Sequence, residues 1–137
     1  MRKVLADTFY WIALTNPADP YYRDVIARRD EIADARILTT DAVLSEFLTF
    51  FAGDKRLRDR AGRTVQALLE DPDSRVIPES RQTFLAGLEL YRARPDKGYS
   101  LTDCVSMRTM SREGLTDVLT NDRHFGQEGL RVLFRSS

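Results

Sequence analysis

The chain has 137 residues, 42% hydrophobic and 31% charged, with 21 basic and 21 acidic side chains and a formal net charge of zero. That size suits one domain with one core, and the mix excludes a disordered or fibrous class, as the zero net charge excludes a global field drawing the chain toward polyanions. No apolar run reaches the roughly 18 residues of a bilayer-spanning helix, and the single cysteine, Cys104, excludes an internal disulfide or a cysteine-based zinc site.

The opening Met1-Arg-Lys-Val-Leu-Ala is too short an apolar stretch before Asp7 for a secretory signal, so the chain is expected to be cytoplasmic and not membrane-bound. A strand is predicted over Lys3–Ala6, followed by Asp7 and an apolar helical turn at Phe9–Ile12. Tyr21–Ala35 has helical character, with Val25, Ile26, Ile32 and Ala33 among many charges. A second strand is predicted over Arg36–Thr39. A helix over Asp41–Phe51 then carries Val43, Leu44, Phe47, Leu48, Phe50 and Phe51 at three- and four-residue steps. Leu57, Ala61, Val65, Leu68 and Leu69 mark a further helix, stopped by Asp71-Pro72.

A strand over Arg75–Pro78 precedes a helix marked by Phe84, Leu85, Leu88 and Tyr91, which ends before Pro95 and Gly98. Thr102–Arg112 reads as the next helix, closed by Gly114, and strands over Asp117–Thr120 and Arg131–Phe134 complete the pattern. The strands are short and almost continuously apolar, as buried parallel strands are. Strands alternating with helices give an α/β fold with helices on both faces of a parallel sheet of about five strands. No repeat or long linker divides it, so residues 1–137 are expected to form a single domain.

Ligands of open parallel sheets bind beyond the carboxyl ends of the strands. Asp7 follows the first strand directly, Asp122 follows Asp117–Thr120 by one residue, and Asp103 opens the helix after Ser100. Each also has a plain structural explanation. Asp7 suits a helix N-cap, Asp122 a turn, and Ser100 with Asp103 a capping box. Glu46 borders the apolar arc of its helix, about 40° from Phe50 and 60° from Val43 on a helical wheel, where a carboxylate needs an arginine partner, a hydrogen bond or a metal. Asp41 is better explained as the N-cap of that helix, and Asp117 lies at the wrong end of its strand.

Gathered together, Asp7, Glu46, Asp103 and Asp122 would repel unless a cation neutralised them. All-oxygen ligation suits Mg²⁺ or Mn²⁺, and no His/Cys set competes. Such ions take phosphate oxygens and activate water. There is no nucleophile elbow, Walker A loop or dinucleotide fingerprint. His124, the only histidine, reads as a loop residue and Cys104 as a small buried apolar one. Eighteen arginines stand against three lysines. That bias suits bidentate phosphate contacts, although a GC-rich coding sequence produces it equally well. Arg123, beside Asp122, is the first candidate for a phosphate contact. Tyr10, Trp11, Tyr21 and Tyr22 could stack on unpaired bases, but core or dimer packing explains them better.

Four stretches carry a resemblance: Leu5-Ala-Asp-Thr-Phe-Tyr-Trp-Ile-Ala13, Thr39-Thr-Asp-Ala-Val-Leu-Ser-Glu46-Phe, Tyr99-Ser-Leu-Thr-Asp103-Cys and Leu119-Thr-Asn-Asp122-Arg-His-Phe. In order and spacing they resemble the acidic motifs of PIN-domain nucleases, most closely the VapC-type toxins of toxin–antitoxin pairs. The resemblance implies a three-layer α/β/α sandwich with the first strand central, beside the strand ending at Thr120. It implies Mg²⁺ or Mn²⁺ held by Asp7, Glu46, Asp103 and Asp122, with Thr8 and Thr120 as supporting hydroxyls. It also implies cleavage of single-stranded or loop RNA leaving a 5′-phosphate, a homodimer, and an antitoxin protein that fills the groove. Cys104 stands where the family often has alanine, and the tail after Phe134 is short.

The alternatives are a stand-alone RNA-processing nuclease of the same family and a non-catalytic PIN-like RNA-binding domain. A haloacid-dehalogenase-like phosphatase is disfavoured because Thr8-Phe9 follows Asp7, where an Asp-x-Asp pair is required. A response-regulator receiver lacks its paired acids near the N-terminus.

Overall fold

A computed structural model describes residues 2–135. Strands β1 (Lys3–Ala6), β2 (Arg36–Thr40), β3 (Ser74–Ile77), β4 (Asp117–Leu119) and β5 (Arg131–Val132) form one sheet in the order β3-β2-β1-β4-β5. Every pairing is parallel, with Leu5 opposite Leu38 on one side and Val118 on the other. The helices are α1 (Thr8–Thr15), α2 (Tyr22–Glu31), α3 (Asp41–Phe50), α4 (Lys55–Glu70), α5 (Arg81–Ala93), α6 (Leu101–Glu113) and α7 (His124–Gln127).

Side chains alternate across a strand, and β1 shows what that does here. Val4 and Ala6 enter one buried cluster with Trp11, Val25, Phe47, Leu57 and Ala61, from α1 to α4. Leu5 enters the other with Leu90, Cys104, Met107, Met110 and Phe125, from α5 to α7. The result is the three-layer α/β/α sandwich. Fully buried side chains such as Phe47 and Phe125 each stabilise it by about 1.5–3 kcal/mol. The second helical layer depends on a close approach. A Cβ on Gly87 of α5 would lie 2.6 Å from Val105 Cγ2 and 3.2 Å from Val105 N on α6. Gly114 ends α6 in the left-handed region at φ 70°, a conformation glycine adopts without Cβ strain.

The chain proceeds from β1 to β2 and β3 on one side, then crosses to β4 and β5 on the other. The strand order therefore reverses between β1 and β4, and open parallel sheets bind their ligands beyond the carboxyl ends of the strands at such a reversal.

The elements match the sequence expectations with physically explicable differences. α1 runs to Thr15, longer than the single apolar turn expected. Tyr10, Trp11 and Ala13 are all buried, so no polar face marks its period. β3 stops at Ile77 because Pro78 has no N–H for the ladder. β5 ends at Val132, although Leu133 N and Phe134 N still donate to Val118 O and Thr120 O. The N-cap of α3 is Thr40, whose hydroxyl accepts from Val43 N. Asp41 is instead the first residue of that helix, and its carboxylate accepts from Glu79 N at 2.8 Å.

Candidate active site

The crevice between β1 and β4 is built from the two strand ends. Asp7 N donates to Leu119 O at 3.3 Å, locking the first residue beyond β1 to the end of β4. Asp7 occupies the N-cap position of α1 but makes no side-chain cap bond. Its Oδ2 accepts from Thr120 Oγ1 at 2.8 Å, across the strand order reversal. Capping therefore does not explain this aspartate.

Asp7 is only 6% exposed. Burial pushes its carboxyl up from 3.8 to about 7, against the lowering effect of hydrogen bonds from Thr120 and the Thr8 backbone N–H. The charges of Asp103 and Glu46 raise it further. The carboxyl of Asp103 is also raised, first by burial and then by the charges of Asp122 and Glu46, while its bonds to Ser100 lower it. Asp7 thus feels the charges of Asp103 and Glu46, and Asp103 those of Asp122 and Glu46.

Glu46 is exposed in the second turn of α3. Its Oε1 accepts from Thr8 Oγ1 at 2.6 Å, so the partner is a hydroxyl rather than an arginine. Asp103 forms the expected capping box. Ser100 N donates to its Oδ2 at 3.1 Å, and Asp103 N donates to Ser100 Oγ at 3.0 Å. Asp122 is half-buried in the turn after β4. Its N–H donates to Thr120 Oγ1 at 3.1 Å, and its Oδ1 accepts from His124 N at 2.9 Å. Among the described residues, no arginine or lysine forms an ion pair with any of the four.

The tightest grouping includes a residue that sequence reading left in a loop. Donor atoms of Asp103, Asp122 and His124 all lie within 4.8 Å of one another. His124 opens α7, a single turn too short to register as a helical pattern. Its Nδ1 is buried without a hydrogen-bond partner. It lies 3.2 Å from Asp122 Oδ1, a separation short enough for an ion pair if the ring is charged but lacking hydrogen-bond alignment. Asp7 and Glu46 fall outside this tight set; the charge of Glu46 raises Asp103, and that of Asp103 raises Asp7. Uncompensated carboxylates with an orphaned buried nitrogen are a donor set that fits a divalent cation.

The remaining candidates sort simply. Arg123 is exposed beside Asp122. Tyr10 and Trp11 are buried, and Trp11 Nε1 donates to Thr39 Oγ1 at 3.4 Å. Tyr21 packs edge-on against Phe9 with ring centroids 4.9 Å apart, and Tyr22 is half-buried. Cys104 is fully buried in the second core cluster. Asp117, at the opposite edge of the sheet, pairs with Arg2 at 2.9 Å and Arg131 at 3.9 Å.

Among curated protein sequences, none matches this one. Solved structures do share its fold. Mycobacterium tuberculosis VapC20, described as a sarcin-ricin loop cleaving toxin, is 22% identical with a TM-score of 0.79, covering 93% of this chain and 95% of that one. FitAcB from Neisseria gonorrhoeae is 20% identical with a TM-score of 0.67, covering 96% of each chain. VapBC2 from Rickettsia felis, bound to a DNA fragment from its promoter, is 16% identical with a TM-score of 0.65, covering 95% of this chain and 96% of that one. Residues 4–127 match the PIN domain as a family, a span that runs from β1 to the end of α7 and encloses all four acids, and the chain therefore belongs to the PIN-domain family.

Proposed function

We propose that the chain is a divalent-metal-dependent endoribonuclease, the toxin of a VapBC-type toxin–antitoxin pair. In this reading residues 1–137 form one nuclease domain. Asp7, Glu46, Asp103 and Asp122 hold Mg²⁺ or Mn²⁺, and the substrate is single-stranded or loop RNA. The observation that carries it is that Thr120 joins Asp7 to Asp122, Thr8 holds Glu46 and Asp103 approaches Asp122, with no arginine or lysine partner to any of the four among the described residues. Family membership and the VapC structural relatives support it further.

When bound, the ion lowers the pKa of a water ligand and offsets charge on the scissile phosphate. The protein's own contribution is placement. Thr120 holds the Asp7 carboxylate and the Asp122 backbone from one hydroxyl. Thr8 orients Glu46, and the capping box fixes Asp103 at the start of α6. These side chains are set before substrate arrives, so little reorganisation is required during reaction. Arg123, exposed next to Asp122 in the chain, would supply a contact to a substrate phosphate. We further propose that the protein acts in the cytoplasm as a homodimer, and that a cognate antitoxin silences it by filling the groove.

The test is to map new 5′ ends in total RNA after induction of the wild type and of Asp7→Asn. The proposal expects 5′-phosphate ends at a restricted set of loop sequences in the wild type alone. Identical end profiles in the two strains would contradict it.

A further inference from the structure

His124 is the chain's only histidine, and its ring is held in place more firmly than a loop residue requires. It packs edge-on against Tyr99, with ring centroids 5.3 Å apart. The Tyr99 hydroxyl donates to Glu128 Oε2 at 2.8 Å, and Arg94 grips the same carboxylate through Nε at 3.1 Å and Nη2 at 3.2 Å. On the other side, Gly98 sits at φ 75°, where a Cβ would be 4.0 Å from His124 Nε2. The half-buried imidazole is thus backed by Tyr99 and the Gly98 backbone.

So held, the ring buries Nδ1 with no hydrogen-bond partner. The nearest acceptor, Asp122 Oδ1 at 3.2 Å, already takes the His124 backbone N–H at 2.9 Å. A buried ring nitrogen left unpaired is costly, and native structures rarely retain one without a use. Asp122 Oδ1 is 3.2 Å from Nδ1, and one ring nitrogen of His124 and one carboxylate oxygen each of Asp103 and Asp122 lie within 4.8 Å of one another. Either imidazole nitrogen can present a lone pair to a metal ion when the proton is on the other, and here Nδ1 is the one beside Asp122.

We propose that His124 supplies Nδ1 as a nitrogen ligand beside Asp103 and Asp122, making this a mixed nitrogen–oxygen centre that selects Mn²⁺ over Mg²⁺. Imidazole suits first-row transition ions, whereas Mg²⁺ favours oxygen donors. The Glu128–Tyr99 pair then acts as a positioning device, fixing the ring so that its nitrogen is presented at low entropic cost. The inference rests on the metal-dependent reading above but does not require nuclease activity to be measured.

Because there is one histidine, any imidazole signal assigns itself. The experiment is pulsed electron paramagnetic resonance on tag-free protein loaded with one equivalent of Mn²⁺, with natural-abundance and ¹⁵N-histidine samples. The expected result is a directly coupled imidazole nitrogen that changes on ¹⁵N labelling. His124→Phe keeps a ring against Tyr99 and removes the nitrogen. In that variant the coupling disappears, the Mn²⁺ Kd rises about tenfold or more, and the Mg²⁺ Kd changes much less. Bound Mn²⁺ without nitrogen coupling, or an unchanged Mn²⁺-to-Mg²⁺ affinity ratio in the variant, overturns the inference alone. Failure of the wild type to bind Mn²⁺ at all overturns both this inference and the metal-dependent reading. Should His124→Phe not fold, the labelled wild-type spectrum decides the question by itself.

Discussion

The Thr120 hydroxyl donates to Asp7 Oδ2 at 2.8 Å and accepts from Asp122 N at 3.1 Å, joining two acids 115 positions apart in the chain through one fully buried side chain. Thr120→Val keeps the shape and removes both bonds. The ionised Asp7 carboxylate then loses a donor, so its pKa climbs further, and stability falls by about 1–3 kcal/mol. The loss is larger at pH 8, where the carboxylate is charged, than at pH 5. Urea unfolding in chelator at both values checks this, and an equal loss at both would detach the bond from the charged form of Asp7.

The raised Asp7 carboxyl sets the pH dependence of the metal-free protein. Its folded-state value, about 7, lies above the ordinary carboxylate value of 3.8. The folded state thus binds a proton that the unfolded chain has already released between those values. That contribution is fully present below about pH 4 and is lost as pH rises through about 7. Metal-free protein is expected to lose on the order of 3 kcal/mol from this group between pH 4 and pH 8. Asp7→Asn removes that component. Chemical denaturation across pH in chelator measures it, and an identical pH profile in the variant would contradict the assignment.

A divalent ion reverses the same balance. Mn²⁺ at one hundred times its Kd is expected to stabilise the wild type by about 2.7 kcal/mol. Its binding near pH 6 should release a proton from Asp7, raised to about 7 in the metal-free state. Calorimetry in buffers of different ionisation enthalpy reads the proton count directly. Binding with no proton release at pH 6 would show that Asp7 is not a ligand.

Two glycines give opposite outcomes for one substitution. Gly62→Ala, in α4 with nothing within 4 Å of the new Cβ, is expected to gain up to about 1 kcal/mol from helix propensity. Gly87→Ala meets Val105 Cγ2 at 2.6 Å and Val105 backbone at 3.2 Å. Side chain and backbone cannot both yield, and overpacking of about 1–3 kcal/mol outweighs the propensity gain. Because α6 carries Asp103, Gly87→Ala should also weaken metal affinity. Thermal melts of the two variants side by side provide the comparison.

Much of this was legible from the sequence because the governing patterns are local. The apolar runs at Lys3–Ala6 and Arg36–Thr39, and the Ser100–Asp103 box, declare strands and a helix start through nearest neighbours. Strand order places the acids once the fold is known, since Asp7 and Asp122 each follow a strand end directly. What escaped was set by tertiary contact. α1 lacks a polar face because both its sides are buried, so periodicity marked only one turn of it. Asp41 looked like a cap, but Thr40 adopts the extended backbone of the cap position and Asp41 bonds across to Glu79. The role open to His124 depends on Tyr99, Gly98 and Asp103, which lie far from it in the chain. Its proximity to Asp122 in sequence was the one available signal.

The central claim is that the carboxylates of Asp7, Glu46, Asp103 and Asp122 hold a divalent ion that drives RNA cleavage. Its most direct test is single-turnover cleavage of a defined RNA by purified wild type and Asp7→Asn, each with Mn²⁺ and with EDTA. The account predicts cleavage by the wild type with Mn²⁺, none in EDTA, and a rate about a thousandfold lower or worse in Asp7→Asn, the loss of several kcal/mol of charge stabilisation. Undiminished cleavage in EDTA, or an Asp7→Asn variant as fast as the wild type, would contradict it.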